Sequence, residues 1–237
     1  MDTGLEFVFH EPMTDPSLQQ SALVDRTVKL GKPVWRGWLH LVWFLLSLIA
    51  GVVLIVAARG TAAVASASVY AGAVSAMFGT SALYHRVAWR IGVKRILQRL
   101  DHLMIFVLIA GTATPMYQLA APEGYGRVCL ILAWAFATAA AGLHVARMQA
   151  PERVVGGTYI GVGAVAGLAL PLVWIHAGPV AGVLAVAGGL LYVAGALAYH
   201  YRRPNPAPLV FGYHEVFHAL VCAGATCHYV AVFILVT

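Results

Sequence analysis

Charged residues are scarce in this chain of 237 residues. Only 10% of the sequence is Asp, Glu, Lys or Arg, whereas 61% is hydrophobic and the mean hydropathy is +0.81. A soluble domain usually carries about 25% charged residues. Such a composition leaves too little polar surface to face water on all sides. It excludes an ordinary soluble protein and favours a polytopic membrane protein.

Cysteine and secretory signals are also sparse. The three cysteines are an odd number and stand in apolar runs, so they indicate no disulfide framework. The first 37 residues are polar and lack the basic-then-apolar pattern of a cleavable signal peptide. We therefore interpret residues 1–37 as a short cytoplasmic arm and residues 38–237 as one transmembrane domain.

Long apolar runs follow this polar start. A helix needs about 20 apolar residues to cross a bilayer, because lipid cannot satisfy free backbone groups. Seven runs reach that length, near 38–58, 61–84, 101–120, 127–147, 154–175, 179–200 and 214–236. The sequence therefore predicts an all-α polytopic membrane protein with seven transmembrane helices.

Basic residues are concentrated on one side of the predicted spans. Of the 15 Lys and Arg residues, only Arg59 and Arg127 fall on the opposite side. Under the positive-inside rule this places the N-terminus in the cytoplasm, and seven spans then place the C-terminus outside. The charges border a membrane face, so they need no nucleic-acid partner. We expect a multi-pass protein of the plasma membrane.

Small residues recur four positions apart in the later spans. The pairs are Gly157 and Gly161, Gly163 and Gly167, and Gly178 and Gly182. Such spacing is typical of close helix packing in lipid, and we expect that role here.

Ionisable residues stand at the predicted cytoplasmic ends of three spans. The second span ends with SALYHR, the third begins with RLDH, and the seventh begins with GYHEVFH. Ionisable residues at membrane depth are costly and mark function by default. We expect His85, Asp101, His214 and His218 to form one cluster if these three spans are neighbours.

The spacing of these residues favours a metal site. His214 and His218 are four residues apart, so they share one helix face, and Ser81 stands in the same relation to His85. Three neutral histidines and a water make the open site of catalytic zinc, which lowers the pKa of that water to about 7. Asp101 could accept the proton of the water, and Ser81 could orient it.

Other interpretations of these histidines stay open. HEVFH matches the H-E-x-x-H pattern of metalloproteases, with Glu215 as base, but no Asp or Glu follows His218 to supply a downstream ligand. His228 lies about 15 Å beyond His218 along the helix and is expected to bond another helix. A histidine near a span end is otherwise interfacial or hydrogen-bonded to a neighbour, as we expect of His40, His102, His144, His176 and His200.

With these residues placed, the chain resembles the haemolysin III family, which belongs with the progestin and adipoQ receptors. The stretches that carry the resemblance are KPVWRGWLH (32–40), SALYHR (81–86), RLDHLMIFVLIAGTATP (99–115) and FGYHEVFHALVCAGATCHY (211–229). The resemblance implies seven helices and Zn²⁺ bound by His85, His214 and His218. It also implies that Ser81 and Asp101 lie near a zinc-bound water.

The resemblance further implies an activity. It points to a zinc-dependent hydrolase of lipid amides or esters, similar to ceramidases, with a membrane lipid as partner. One alternative is a non-enzymatic receptor or homeostasis protein with structural zinc, and another is a pore-forming haemolysin. A pore needs a polar lining, and spans four to six carry almost no polar residue in mid-span.

Overall fold

The chain folds into helices throughout the part that the structure describes. The structure is a computed structural model that describes residues 32–146 and 152–237. These residues form α1 (Trp38–Ala57), α2 (Thr61–Arg86), α3 (Ile91–Ala120), α4 (Glu123–Ala146), α5 (Glu152–Gly167), α6 (Leu170–Tyr201) and α7 (Tyr213–Val236). The predicted all-α fold is confirmed. Residues 1–31 of the predicted arm lie outside the described residues.

Six of the seven helices are individually long and apolar enough to cross a bilayer, namely α1, α2, α3, α4, α6 and α7. Their outer faces are apolar as well. Along α1, for example, Ile49, Val52 and Val56 are each more than 60% exposed. An apolar exterior of this extent is compatible with lipid and not with water. The fold is that of a polytopic membrane protein.

The predicted fifth span, 154–175, is divided between α5 and the first part of α6. Gly178 has φ 82° and ψ 175°, which is not helical, so α6 consists of two segments. A Cβ added at Gly182 would lie 2.9 Å from the Cβ of Trp174. Eight residues of straight helix would separate these positions by about 12 Å. The chain therefore reverses at Gly178, at the boundary predicted between the fifth and sixth spans.

Of the glycines predicted to pack, only Gly182, which faces Trp174, marks a close helix contact within the described residues. Among the residues that the structure describes, no partner helix comes within 4 Å of a Cβ built at Gly157, Gly161 or Gly163, so the packing prediction is wrong there. The close approach occurs instead between α6 and α7. A Cβ at Gly188 would lie 3.0 Å from the carbonyl oxygen of Gly224, and the reverse distance is also 3.0 Å.

The first three helices and the last form one packed group. α2 contacts α1, α3 and α7, and α7 also packs along α6. Leu54, Tyr70, Phe78, Leu108 and Val221 contribute buried side chains from α1, α2, α3 and α7 to one core. Spans two, three and seven are therefore neighbours, which is the condition for the predicted cluster.

Candidate metal centre

Three histidines converge where α2 ends and α7 begins. His85 stands in the last turn of α2, and His214 and His218 face it from the first turns of α7. One ring nitrogen of each lies within 4.8 Å of the other two. The Nε2 atoms of His85 and His214 are 3.3 Å apart. This is the group of three that the spacing in the sequence predicts.

The donor set fits a tetrahedral divalent ion. Zinc–nitrogen bonds of about 2.0–2.1 Å at tetrahedral angles place two ligand nitrogens about 3.3–3.4 Å apart. The observed 3.3 Å between His85 and His214 matches that separation. The ring of His218 lies 4.6 Å from that of His214 and 5.1 Å from that of His85, measured between centroids. The three imidazoles could therefore hold one metal ion.

A carboxylate and a hydroxyl lie beside these rings. Oδ2 of Asp101, on α3, is 3.8 Å from Nε2 of His85. Ser81 precedes His85 by one helical turn of α2, and its hydroxyl lies close enough to the Asp101 carboxylate to interact with it. Ser81 is 2% exposed, so little water competes for this interaction. The structure thus brings both predicted catalytic residues to the histidine cluster.

Glu215, the alternative base, is engaged elsewhere. Its Oε1 accepts a hydrogen bond from Nε of Arg36 at 2.5 Å, and its Oε2 accepts one from the backbone N–H of Gly212 at 2.9 Å. The second bond satisfies a free donor at the start of α7, which is the role of a helix-capping glutamate. Glu215 is fully buried, with both oxygens occupied. This geometry does not support a protease mechanism with Glu215 as base.

His40 is the residue that sequence reasoning missed. It is expected at the interface or in a simple hydrogen bond, but it is 2% exposed and lies against the candidate metal centre. Its ring stacks on that of His218 with centroids 3.8 Å apart and planes inclined by 11°. The edge of Phe78 fixes its other side, at 5.1 Å. Its place in the KPVWRGWLH stretch was the available signal.

Three of the remaining histidines bond neighbours as expected. Nδ1 of His102 and Nε2 of His144 are 3.1 Å apart, which joins α3 to α4. Nε2 of His228 lies 2.9 Å from the carbonyl oxygen of Ala185 on α6. These contacts satisfy ring nitrogens without any ion.

Basic side chains cluster beside His85. Nζ of Lys32 donates a hydrogen bond to the His85 carbonyl oxygen at 3.2 Å, which satisfies a free acceptor at the end of α2. Partial burial, and then the charges of Lys94, Arg36 and Arg86, lower the pKa of Lys32. Positive charge is therefore concentrated at the predicted cytoplasmic end of the centre.

Comparison with known families agrees with this arrangement. Residues 28–229 match the model of the family described as Haemolysin-III related. The match includes all four stretches that carry the resemblance in the sequence. The chain belongs to this family. Membership in the haemolysin III family confirms the resemblance and, with the apolar helices, a multi-pass membrane protein.

A curated relative in rice, Oryza sativa subsp. japonica, is also similar. It is named heptahelical transmembrane protein ADIPOR2 and is 43% identical over 76 residues. The aligned part covers 28% of this chain and 33% of the relative, so the chain spans about a third of the length of the curated relative it matches. Over that aligned part, this haemolysin III family member is similar to a protein named as heptahelical and transmembrane.

Proposed function

We propose that this protein is a zinc-dependent hydrolase of lipid amides or esters in the plasma membrane. The observation that carries the proposal is the convergence of three histidine nitrogens within 4.8 Å, with a carboxylate 3.8 Å from one of them. His85, His214 and His218 would hold the ion. When bound, zinc supplies a Lewis acid that polarises a carbonyl and acidifies a water.

Asp101 is proposed as the general base. A general base must lie within hydrogen-bonding reach of the proton that it takes. Oδ2 of Asp101 lies 3.8 Å from Nε2 of His85, so in the proposed reaction this carboxylate would accept a proton from the attacking water and return it to the leaving amine or alcohol. The nearby Ser81 hydroxyl would orient the carboxylate. Ser81 therefore acts on the reaction through Asp101.

The proposed substrate follows from the location of the centre. The outer faces of the helices are apolar, so a substrate arrives from the bilayer with its acyl chain in lipid. The centre lies at the ends of α2 and α7, so the reacting carbonyl would sit near the headgroups of the predicted cytoplasmic leaflet. A membrane lipid with an amide or ester carbonyl at that depth fits.

A second candidate function is a receptor or homeostasis protein with structural zinc. The observation that favours it is burial, because His85 is 7% and His218 is 2% exposed. Structural zinc sites are closed to water, whereas catalytic sites keep one open position. The two functions therefore differ in whether a small molecule reaches the bound ion.

Lipid turnover by the purified protein tests the proposal. Wild type, zinc-stripped protein and zinc-reloaded protein are each incubated in bilayers with a panel of ceramides, other acyl amides and acyl esters. Mass spectrometry then measures released fatty acid. The hydrolase proposal expects turnover that zinc removal abolishes and zinc restores. Full zinc loading with no turnover of any panel lipid would reject the hydrolase and favour the structural-zinc receptor.

A further inference from the structure

A short segment that runs into the first turn of α1 reaches across the candidate metal centre. We call residues 32–40, KPVWRGWLH, the strap. The backbone N–H groups of Val34 and Trp35 donate hydrogen bonds to the carbonyl oxygens of Leu209 and Val210, at 3.2 and 3.1 Å. The strap is thereby tied to the loop that leads into α7.

The strap also closes on the end of α2. Gly37 has φ 78°, a left-handed conformation that side chains with a Cβ rarely adopt. A Cβ at Gly37 would lie 2.7 Å from the Cβ of His85. Glycine is therefore required here by both conformation and space, and the strap backbone lies directly against a candidate metal ligand.

The next contact fixes the start of α7. Arg36 of the strap pairs with Glu215 at 2.5 Å, and the Glu215 side chain is 1% exposed. Glu215 lies between His214 and His218 in the sequence, on the same helical turn. A buried charge-assisted pair of this kind is strong and directional. It holds the first turn of α7, and with it both histidines, relative to the strap.

The last contact is made to a histidine ring itself. His40 at the end of the strap stacks on His218, with centroids 3.8 Å apart. A flat ring at this distance restricts the rotation of the His218 side chain. Each candidate ligand is thus reached from the strap: His85 by Gly37, the turn that carries His214 by Arg36, and His218 by His40.

We propose that the strap is the positioning element of the metal centre, with Arg36 and His40 as positioning residues. The inference rests on the metal-binding part of the proposed function and not on hydrolysis. Residues outside the ligand shell fix ligand orientation, and their loss typically lowers metal affinity about 10- to 100-fold. The alternative is that the strap packs against the helix ends without affecting the orientation of the metal ligands.

Zinc affinity and ligand geometry test the proposal without any substrate. Full-length wild type, Arg36→Met, Arg36→Lys, His40→Leu and His40→Phe are purified in detergent. Competition with a chelator of known affinity measures zinc binding, and the visible spectrum of the cobalt-substituted protein reports ligand geometry. Arg59→Met serves as a matched control, because Arg59 is exposed and precedes α2 at its opposite end.

The strap proposal expects a graded result. Arg36→Met and His40→Leu should lower zinc affinity about 10- to 100-fold and alter the cobalt spectrum. Arg36→Lys should recover part of the affinity, because lysine keeps the charge but not the planar fork. His40→Phe should stay within a few-fold of wild type, because it keeps a flat ring over His218. Arg59→Met should match wild type.

Other results would overturn the inference. If folded Arg36→Met and His40→Leu keep the zinc affinity and the cobalt spectrum of wild type, the strap only packs against the helix ends and does not position the ligands. An equal loss in Arg59→Met would show a general effect of substitution. If Arg36→Met does not fold, the pair His40→Leu and His40→Phe decides, since both fill the space and only one keeps the ring. A wild type that binds no zinc would reject the proposed function as well.

Discussion

Two groups of histidines lie close together in this protein and differ in what they do with their nitrogens. His102 and His144 face each other across α3 and α4, where one nitrogen of each ring pairs with the other at 3.1 Å. His85, His214 and His218 instead direct three nitrogens toward one point, with a carboxylate beside them. Convergence of three donors, and not the mere presence of histidines in a membrane helix, distinguishes a candidate ion site.

The two carboxylates near the histidines, Glu215 and Asp101, show the same contrast. Glu215 accepts bonds from Arg36 and from the backbone of Gly212, so its charge is used to hold the fold. Asp101 instead lies beside the Ser81 hydroxyl and 3.8 Å from a ring nitrogen of His85. A carboxylate whose oxygens are all taken by fixed donors is a poor base. The geometry therefore separates a structural acid from a candidate catalytic one.

Removing one candidate zinc ligand should have the largest effect and should distinguish the two histidine groups most clearly. His218→Ala leaves two imidazoles, fewer than the three that a catalytic zinc site uses, so we expect most zinc and all turnover to be lost. The matched change His144→Ala, in the hydrogen-bonded pair of His102 and His144, should leave zinc content unchanged. Metal analysis of both purified proteins makes the test. Equal zinc in His218→Ala and wild type would refute this ligand set.

Changing the candidate base should separate chemistry from metal binding. Asp101→Asn keeps the shape of the side chain but removes its basicity, so we expect normal zinc content and turnover lower by about 100-fold or more. Its neighbour in the sequence, His102→Phe, should change turnover only slightly. Lipid release measured alongside zinc content decides the matter. Full activity in Asp101→Asn would assign the base elsewhere.

Losing the hydroxyl that orients the base should have a smaller effect. Ser81→Ala removes the hydroxyl that we propose orients Asp101. A hydrogen bond to a charged acceptor is worth about 1.5 kcal/mol, so turnover should fall about tenfold with zinc retained. Ser81→Thr, which keeps a hydroxyl, is the matched variant and should recover part of the rate. A rate in Ser81→Ala equal to that of wild type would leave Ser81 with no positioning role.

Breaking the hydrogen bond between His102 and His144 should have the smallest effect. His144→Ala removes the bond to His102, so we expect a loss of about 1 kcal/mol in the free energy of unfolding. Denaturant titration in detergent measures this loss. A drop in zinc affinity that accompanies it would mean that the two histidine groups act as one.

Local sequence patterns predicted much of this fold. Runs of about 20 apolar residues predicted the helices, and four-residue spacing predicted which histidines share a face. The reversal at Gly178 lies at a boundary that the sequence predicts. Glycine permits the positive φ there, and Pro179 suits the start of the next helical segment.

Contacts between distant residues could not be predicted in the same way. Arg36 and Glu215 are 179 positions apart, and no periodicity links them. The stack of His40 on His218 depends on how α1 and α7 pack, which spacing within one helix does not report. Glycine spacing likewise failed in α5, because a small residue permits close packing but does not bring a partner helix to it.

Location of bound zinc tests the central claim most directly. Anomalous X-ray scattering at the zinc edge, recorded from crystals of the zinc-loaded protein, places the ion without reference to activity. The account predicts one peak about 2.0–2.1 Å from a nitrogen of His85, His214 and His218 alike. A peak between His102 and His144, or no peak at the three converging histidines in zinc-loaded protein, would contradict it.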